Sequence, residues 1–242
     1  MGLFRKNNKN APEFEFGLLN EDSPFALREA YSSLFTNIVY LGISDRCKKL
    51  VITSAVPAEG KSTVSANLAI SIADNVDNVR VLLVDSDLRA PKLASLFGVE
   101  NDTNGLSEYL AGVDSTPNFI RLEEKNITLL TSGAKSLNPT QLLSSSLLAK
   151  FFAEYESEFD YIIIDTPPVN VVTDALMYTN YINGYILSTL SDRSDTKSVS
   201  ECINRINQVG GEIIGLVFSG VKFKSSSGKY EYSDRYGKYT NE

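Results

Sequence analysis

The sequence predicts a doubly wound α/β fold, in which a mostly parallel sheet is covered by helices on both faces. Continuous apolar, β-branched segments recur along the chain and alternate with segments of helical spacing. Strands that are buried on both faces have this continuous pattern, whereas half-exposed strands alternate apolar and polar residues. The length of 242 residues suits one large domain of this kind.

The composition divides the chain into three parts. Residues 1–12 form a basic arm and residues 222–242 a polar tail, and we expect both to be flexible. Residues 13–221 form the folded domain, which opens with an N-terminal helical segment over 13–49. Apolar residues in that segment recur at helical spacing and predict an amphipathic helix packed on the core, with Leu27, Tyr31, Leu34 and Ile38 on one face.

Strands and helices alternate through the rest of the domain. The apolar segments predict strands over 50–54, 79–85, 127–131, 161–165, 185–189 and 213–221. Helical spacing predicts helices over 61–75, 106–110, 141–157 and 194–209, with another helix after Asp174. Ligands bind such sheets beyond the carboxyl ends of the strands, where the most specific motifs of this chain lie.

Composition argues against several classes of function. The net charge of −7 disfavours a general nucleic-acid partner, which would bind a basic protein. The chain has no histidine, so histidine triads and histidine metal sites are excluded. Cys47 and Cys202 form no CxxC motif, so we expect no disulfide framework and a reducing, cytoplasmic location. No apolar run is long enough to span a bilayer.

A phosphate-binding loop follows the first predicted strand and opens the helix over 61–75. The sequence from Ser54 to Thr63 matches the P-loop motif, except that Ala55 stands at the first glycine. Backbone N–H groups of such a loop wrap phosphates, and the helix N-terminus adds positive potential. We therefore expect a nucleoside triphosphate to be bound by Pro57, Ala58, Glu59, Gly60, Lys61, Ser62 and Thr63. The motif does not specify the reaction.

Two further strands end in aspartates. The strand over 79–85 ends with Asp85, followed by Asp87 and Arg89, and the strand over 161–165 ends with Asp165. A strand-end carboxylate opposite a P-loop commonly faces Mg²⁺, and Asp165 is our choice for that role. A lone strand-end aspartate is often a turn or helix cap instead. Three aspartates beside one P-loop favour the functional interpretation, and Asp85 or Asp87 could accept a proton.

The tail over 222–242 is enriched in tyrosine. It holds four of the twelve tyrosines, namely Tyr230, Tyr232, Tyr236 and Tyr239. Three interpretations are open: a segment that packs on a neighbour, aromatic residues that stack on nucleic-acid bases, and tyrosyl acceptors on a tether. A tether gives its acceptors a high effective concentration at a nearby active site.

Together these motifs resemble the bacterial tyrosine kinases of capsule and exopolysaccharide clusters, of the cytoplasmic Gram-positive type. The resemblance runs from residue 24 to the end and covers the P-loop, the segments 81–89 and 162–168, and the tail. Smaller matches lie at 131–133, 138–139, 142–143 and Asp174. The resemblance implies the fold of the partition and division-site P-loop ATPases.

The resemblance also implies an activity and partners. It implies ATP- and Mg²⁺-dependent autophosphorylation of the tail tyrosines in trans within a homo-oligomeric ring, with regulation of polysaccharide synthesis and chain length. It implies a transmembrane activator that recruits the kinase to the inner face of the membrane. A cognate tyrosine phosphatase and polysaccharide-synthesis enzymes are the other implied partners, and nucleic acid is not among them.

Phosphoryl transfer depends mainly on positioning and charge neutralisation, and this assigns a role to each site residue. Lys61 and the loop amides hold the phosphates, while Ser62, Asp87 and Asp165 serve Mg²⁺. Asp85 takes the tyrosine proton, although the sequence alone does not order the roles of Asp85 and Asp87. Arg89 pairs with a neighbour's carboxylate, with phosphate or in a surface salt bridge.

The sequence departs from the family pattern in two places, and other functions stay open. Ser32 and Phe35 stand where the family often has the two arginines of an assembly motif, and Ser219 stands where relatives often carry an adenine-contacting asparagine.

A partition or positioning ATPase is one alternative function, but those proteins carry a lysine where this chain has Val56. A non-catalytic, nucleotide-binding module of a membrane polysaccharide export complex is the other.

Overall fold

A computed structural model describes residues 17–101, 104–191 and 193–220 of the chain. Seven strands form one sheet: β1 (Lys48–Ser54), β2 (Val81–Asp85), β3 (Ile120–Leu122), β4 (Ile127–Leu130), β5 (Tyr161–Asp165), β6 (Gly184–Leu190) and β7 (Ile213–Ser219). The α-helices are α1 (Phe25–Tyr40), α2 (Lys61–Asn75), α3 (Leu93–Phe97), α4 (Leu106–Leu110), α5 (Pro139–Leu143), α6 (Ser146–Tyr155) and α7 (Thr196–Gln208).

The strand order is β3-β4-β2-β5-β1-β6-β7, and every pairing is parallel except that of β3 with β4. The strands that carry the sequence motifs, β1, β2 and β5, are neighbours at the centre of the sheet. Their carboxyl ends therefore meet at one edge, which is where ligands bind in doubly wound folds.

Two apolar cores lie on opposite faces of the sheet. One contains residues of α1 and α2, such as Ile38, Leu68 and Ile72, and the other contains residues of α6 and α7, such as Phe152 and Ile206. Because β1, β2 and β5 contribute alternate side chains to both cores, their central residues are apolar without interruption. The predicted doubly wound, mostly parallel fold is confirmed.

The predicted elements are confirmed with one correction. The expected single helix over 141–157 is wrong, because Ser144 and Ser145 separate α5 from α6 and Ser145 adopts an extended conformation. The helix after Asp174 is a 3-10 helix over Asp174–Tyr181. Strand β3 and helix α3 were not predicted, since three and five residues are too few to establish a period.

Helix α1 packs against α2 on the edge of one core. Tyr31 and Ile38 are buried and Leu34 is partly buried, as the helical spacing predicts, whereas Leu27 is 37% exposed. The arm over 1–12 and the tail over 222–242 lie outside the described residues, so the domain boundaries stay predictions. Within the described ranges, no helix has both the length and the hydropathy needed to cross a bilayer.

Candidate active site

The phosphate-binding loop occupies residues 55–60, between the end of β1 and the start of α2. Ala58 and Gly60 have left-handed backbone conformations, with φ of 63° and 78°. Left-handed residues that alternate with right-handed ones turn successive N–H groups toward a common point, which forms an anion-binding concavity. Pro57 and Ala58 are exposed, so the loop is open to a ligand from solvent.

Glu59 has a different position from the rest of the loop, because its side chain is fully buried. One carboxylate oxygen accepts the Val56 N–H at 2.9 Å, and the other accepts the Ser194 hydroxyl. The Glu59 carbonyl accepts a hydrogen bond from Ser188. The carboxylate therefore contacts the protein rather than the phosphate position. Ser188 and Ser194 were missed because no sequence motif connects β6 to the loop.

Lys61 and Asp87 form an ion pair at the mouth of the loop. Lys61 Nζ donates to Asp87 Oδ2 at 2.8 Å, and both side chains are largely buried. Burial lowers the pKa of Lys61, but the charges of Asp165, Asp87 and Asp85 together outweigh it and raise the pKa above its usual value. The lysine is thus kept charged where phosphate would bind.

Asp85 lies at the end of β2, directly opposite Asp165 in the parallel ladder with β5. It is fully buried, and its Oδ2 accepts the N–H groups of Lys92 at 3.0 Å and Leu93 at 2.9 Å, at the start of α3. Burial and the nearby charge of Asp165 raise the pKa of Asp85 to about 7. A carboxyl group with such a pKa can exchange a proton near neutral pH.

Asp165 is also fully buried, and only one of its oxygens has a partner. Oδ1 accepts the Ser65 hydroxyl at 3.2 Å, whereas Oδ2 is one of four buried side-chain atoms in the described ranges without a hydrogen bond. Burial raises the pKa of Asp165 to about 6, against the lowering effects of the Lys61 charge and of the nearby Ser62 hydroxyl. An orphaned carboxylate oxygen beside a P-loop hydroxyl fits a hard cation such as Mg²⁺.

The described residues contain no group of three or more acidic or thiol side chains arranged as a metal cage. Mg²⁺ keeps several waters and is held by few protein ligands together with substrate phosphates. Ser62 and Asp165 fit such a site, with Asp87 nearby through its ion pair to Lys61.

Comparisons with known proteins identify relatives of this chain. The ParA family model, described as an NUBPL iron-transfer P-loop NTPase, matches residues 46–233. The tyrosine-protein kinase YwqD of Bacillus subtilis is 34% identical over 205 residues, which cover 84% of this chain and 85% of YwqD. The tyrosine-protein kinase CpsD of Streptococcus pneumoniae is 34% identical over 212 residues, with coverage of 87% and 91%.

The chain belongs to the bacterial tyrosine-protein kinases. Their fold is a variant of the ParA-type P-loop NTPase, so the expected fold family and enzyme class are confirmed. The kinase domain of the Escherichia coli tyrosine kinase ETK superimposes with a TM-score of 0.77 and 31% identity, covering 84% of this chain and 78% of ETK's solved domain.

Arg89 of the kinase pairs within its own chain. Its guanidinium donates to both oxygens of Asp174, at 2.7 and 3.2 Å, and also to Thr140 at 3.2 Å. Asp174 is fully buried whereas the Arg89 side chain is 40% exposed, so an arginine at the surface pairs with a buried carboxylate of its own chain. The pair joins the loop after β2 to the start of the 3-10 helix that follows β5.

Two further residues at the site were not predicted. Ser86, between Asp85 and Asp87, forms a hydrogen bond with the hydroxyl of Tyr178 at 2.5 Å, and both residues are buried. Tyr178 lies far from Ser86 in the sequence, and a buried tyrosine gives no local signal of such a partner. The expected acceptors Tyr230, Tyr232, Tyr236 and Tyr239 lie outside the described residues.

Proposed function

We propose that the kinase transfers the γ-phosphoryl group of ATP to tyrosines of its own C-terminal cluster, in trans within a homo-oligomer. The proposal rests on one observation: Lys61, Asp85, Asp87 and Asp165 converge at the carboxyl ends of β2 and β5, beside a preformed phosphate loop. The acceptors are Tyr230, Tyr232, Tyr236 and Tyr239. A tether would give them a high effective concentration at a neighbouring active site.

Lys61 and the loop amides hold the transferred phosphate. The ion pair with Asp87 places Lys61 at the site before ATP arrives, and the phosphate oxygens then compete with Asp87 for the ammonium group. Positioning of this kind supplies much of the catalysis in phosphoryl transfer, because the enzyme does little covalent chemistry itself.

Ser62, Asp87 and Asp165 would hold Mg²⁺. When bound, this cation neutralises charge on the phosphate oxygens and so favours their transfer. The orphaned Asp165 Oδ2 and the Ser62 hydroxyl support this assignment. Asp87 can take part once Lys61 turns from it to phosphate.

We assign the role of general base to Asp85 and that of ordering nearby water to Asp87. The tyrosine oxygen forms its bond to the γ-phosphorus, the bond to the bridging oxygen breaks, ADP leaves, and the phenolic proton passes to Asp85. A pKa of about 7 suits a group that takes and returns a proton near neutral pH. Asp85→Asn should abolish transfer while ADP binding persists.

We also propose the regulation and setting that the family resemblance implies. The cytoplasmic segment of a transmembrane activator recruits the kinase to the inner face of the cell membrane and activates it. A cognate tyrosine phosphatase reverses the modification. Enzymes of capsule or exopolysaccharide synthesis are the further substrates, and phosphorylation regulates polymer synthesis and chain length.

Mass spectrometry of the tail after incubation with Mg·ATP tests the proposed activity. Wild type and Lys61→Met are compared, each with and without the cytoplasmic segment of a candidate activator. Phosphate on the four tail tyrosines of wild type, but not of Lys61→Met, is the expected result. ATP hydrolysis with an unmodified tail in the presence of a functional activator would instead favour a positioning ATPase.

A further inference from the structure

We propose that Glu59 is a positioning residue that holds the phosphate loop in its binding conformation before a nucleotide arrives. The inference rests on the proposed function in one respect, that the loop binds the phosphates of ATP. It concerns a side chain that has no direct contact with the phosphate position, and it predicts that the effect passes through the backbone of Ala58 and Gly60.

The backbone on either side of Glu59 needs external support. Ala58 and Gly60 are both left-handed, with φ of 63° and 78°. Glycine adopts this conformation readily, but an alanine does so rarely because its Cβ crowds the backbone. Ala58 would therefore leave the left-handed region, and the anion-binding concavity would open, unless neighbouring contacts held it.

The Glu59 carboxylate supplies those contacts. One oxygen accepts the Val56 N–H and the other accepts the Ser194 hydroxyl, so the side chain closes the loop on itself and anchors it to β6. Glu59 is fully buried, and within the described ranges no lysine or arginine forms an ion pair with it. A buried carboxylate bound only by neutral donors is costly, which favours a functional reason for its presence.

The anchor extends beyond one hydrogen bond. Ser194 Oγ accepts the N–H of Leu190 at 2.7 Å, and Ser188 Oγ donates to the Glu59 carbonyl. The side chains of Ser188 and Ser219 also face Gly60, at 3.9 and 3.8 Å from the position of a Cβ. The carbonyl and the carboxylate of Glu59 are thus both joined to the carboxyl end of β6, through Ser188 and through Ser194.

An amide cannot replace this carboxylate, although it has the same shape. Glutamine has one acceptor oxygen and one NH₂ group. If its oxygen accepts the Val56 N–H, its NH₂ faces Ser194 and the serine proton loses its acceptor. If the oxygen faces Ser194, the NH₂ opposes the Val56 N–H. Glu59→Gln therefore breaks one side of the anchor without changing the volume of the side chain.

The first measurement is ADP affinity by calorimetry, since it does not depend on tail phosphorylation. We expect Glu59→Gln to weaken ADP binding about tenfold, as the loss of one buried hydrogen bond would. The KM for ATP should rise by a similar factor in the phosphotransfer assay, with kcat within about twofold of wild type. Adding Ala58→Gly should restore most of the affinity, because glycine adopts the left-handed conformation without support.

Glu108→Gln is the matched control. Its carboxylate accepts the N–H groups of Gly105 and Ala134 and the Ser107 hydroxyl, at 2.9 to 3.0 Å, away from the phosphate loop. It should lose stability as Glu59→Gln does and keep wild-type ADP affinity. If Glu59→Gln does not fold, Ser194→Ala removes the same anchor from the other side and should weaken ADP binding about threefold.

The outcomes separate this inference from the proposed function. Wild-type ADP affinity in Glu59→Gln or Ser194→Ala, with wild type binding normally, overturns the role of Glu59 alone. Weakened binding that Ala58→Gly does not restore overturns the backbone route. A wild-type chain that binds no ADP overturns both the inference and the proposed function. Restoration by Ala58→Gly, with no change in Glu108→Gln, supports it.

Discussion

Lys61 Nζ lies 2.8 Å from Asp87 Oδ2, so the lysine that follows β1 is held by an aspartate that follows β2, on the other side of β5. The pair brings one cation among three buried aspartates and offsets part of their mutual repulsion. Losing either partner would leave the other buried without its counter-charge. The stability of the apo kinase should therefore depend on Lys61 and Asp87, which the proposed chemistry also uses.

Removing Lys61 should destabilise the kinase as well as inactivate it. Lys61→Met leaves Asp87 buried and without its cation, and we expect the free energy of unfolding to fall by about 2 kcal/mol. In the double variant with Asp87→Asn, the unpaired charge of Asp87 is gone, and part of the lost stability should return. Urea unfolding of the two single variants and the double variant measures the coupling.

The exposed pair of Arg205 and Glu201 is the control for that cycle. These side chains are 39% and 49% exposed, and Glu201→Gln should change the free energy of unfolding by less than about 0.5 kcal/mol. A Lys61→Met variant as stable as wild type would show that Lys61 and Asp87 are not coupled in solution.

Asp165→Asn should make the apo kinase more stable while it removes a proposed magnesium ligand. Burial raises the pKa of Asp165 to about 6, above its ordinary value of 3.8. A raised folded-state pKa makes ionisation unfavourable to folding, so the stability of wild type falls as pH rises from about 4 through 6. We expect the variant to be roughly 1–2 kcal/mol more stable at pH 7.5, with the difference vanishing near pH 4.

Asp160→Asn is the control of opposite sign. The guanidinium of Arg80 hydrogen-bonds Asp160 and lowers its pKa, so its stabilising contribution is present above the unfolded pKa and is lost as pH falls through the folded one. This variant should be slightly less stable than wild type at pH 7.5. Thermal unfolding of both variants across pH tests the pair of signs. Equal shifts in the same direction would contradict the electrostatic explanation.

The sequence predicted much of the sheet and the position of the phosphate loop and the strand-end aspartates at its carboxyl edge, because both depend on local patterns. The strands β2 and β5 end in aspartates after continuous apolar runs, and the loop before α2 has a recognisable motif. The parallel register then places Asp85 beside Asp165. No local pattern could show which partner each charged group selects.

The partners depend on contacts between residues that are distant in the chain. Arg89 bonds Asp174, 85 positions away, and Glu59 bonds Ser194, 135 positions away. Serine is too common for its sequence position to indicate such a role. The division between α5 and α6 has a similar origin, since two serines interrupt a segment whose apolar spacing continues across them.

Arg89 should matter more for stability than an arginine whose partner is exposed, because Asp174 is fully buried. Its two hydrogen bonds to the buried Asp174 need a planar, forked donor, which lysine lacks. We expect Arg89→Lys to cost about 1 kcal/mol and Arg89→Ala about 2 kcal/mol, measured by urea unfolding. Arg121→Lys, at an exposed pair with Glu123, should cost nothing measurable. Equal costs at the two sites would contradict this interpretation.

Tyr178→Phe should lower kcat by a few-fold with little effect on the KM for ATP. The Tyr178 hydroxyl forms a hydrogen bond with Ser86, which lies between Asp85 and Asp87. Loss of the hydroxyl leaves the buried serine without its partner and loosens the segment that carries the two aspartates. The free energy of unfolding should fall by about 1 kcal/mol.

Tyr185→Phe is the matched control for Tyr178→Phe. The Tyr185 ring is also buried and its hydroxyl is also hydrogen-bonded, but the partners of that hydroxyl are Thr179 and the Ala175 carbonyl, outside the site. Both variants should lose similar stability, and only Tyr178→Phe should lose activity. Equal losses of kcat in the two variants would reduce the role of Tyr178 to packing.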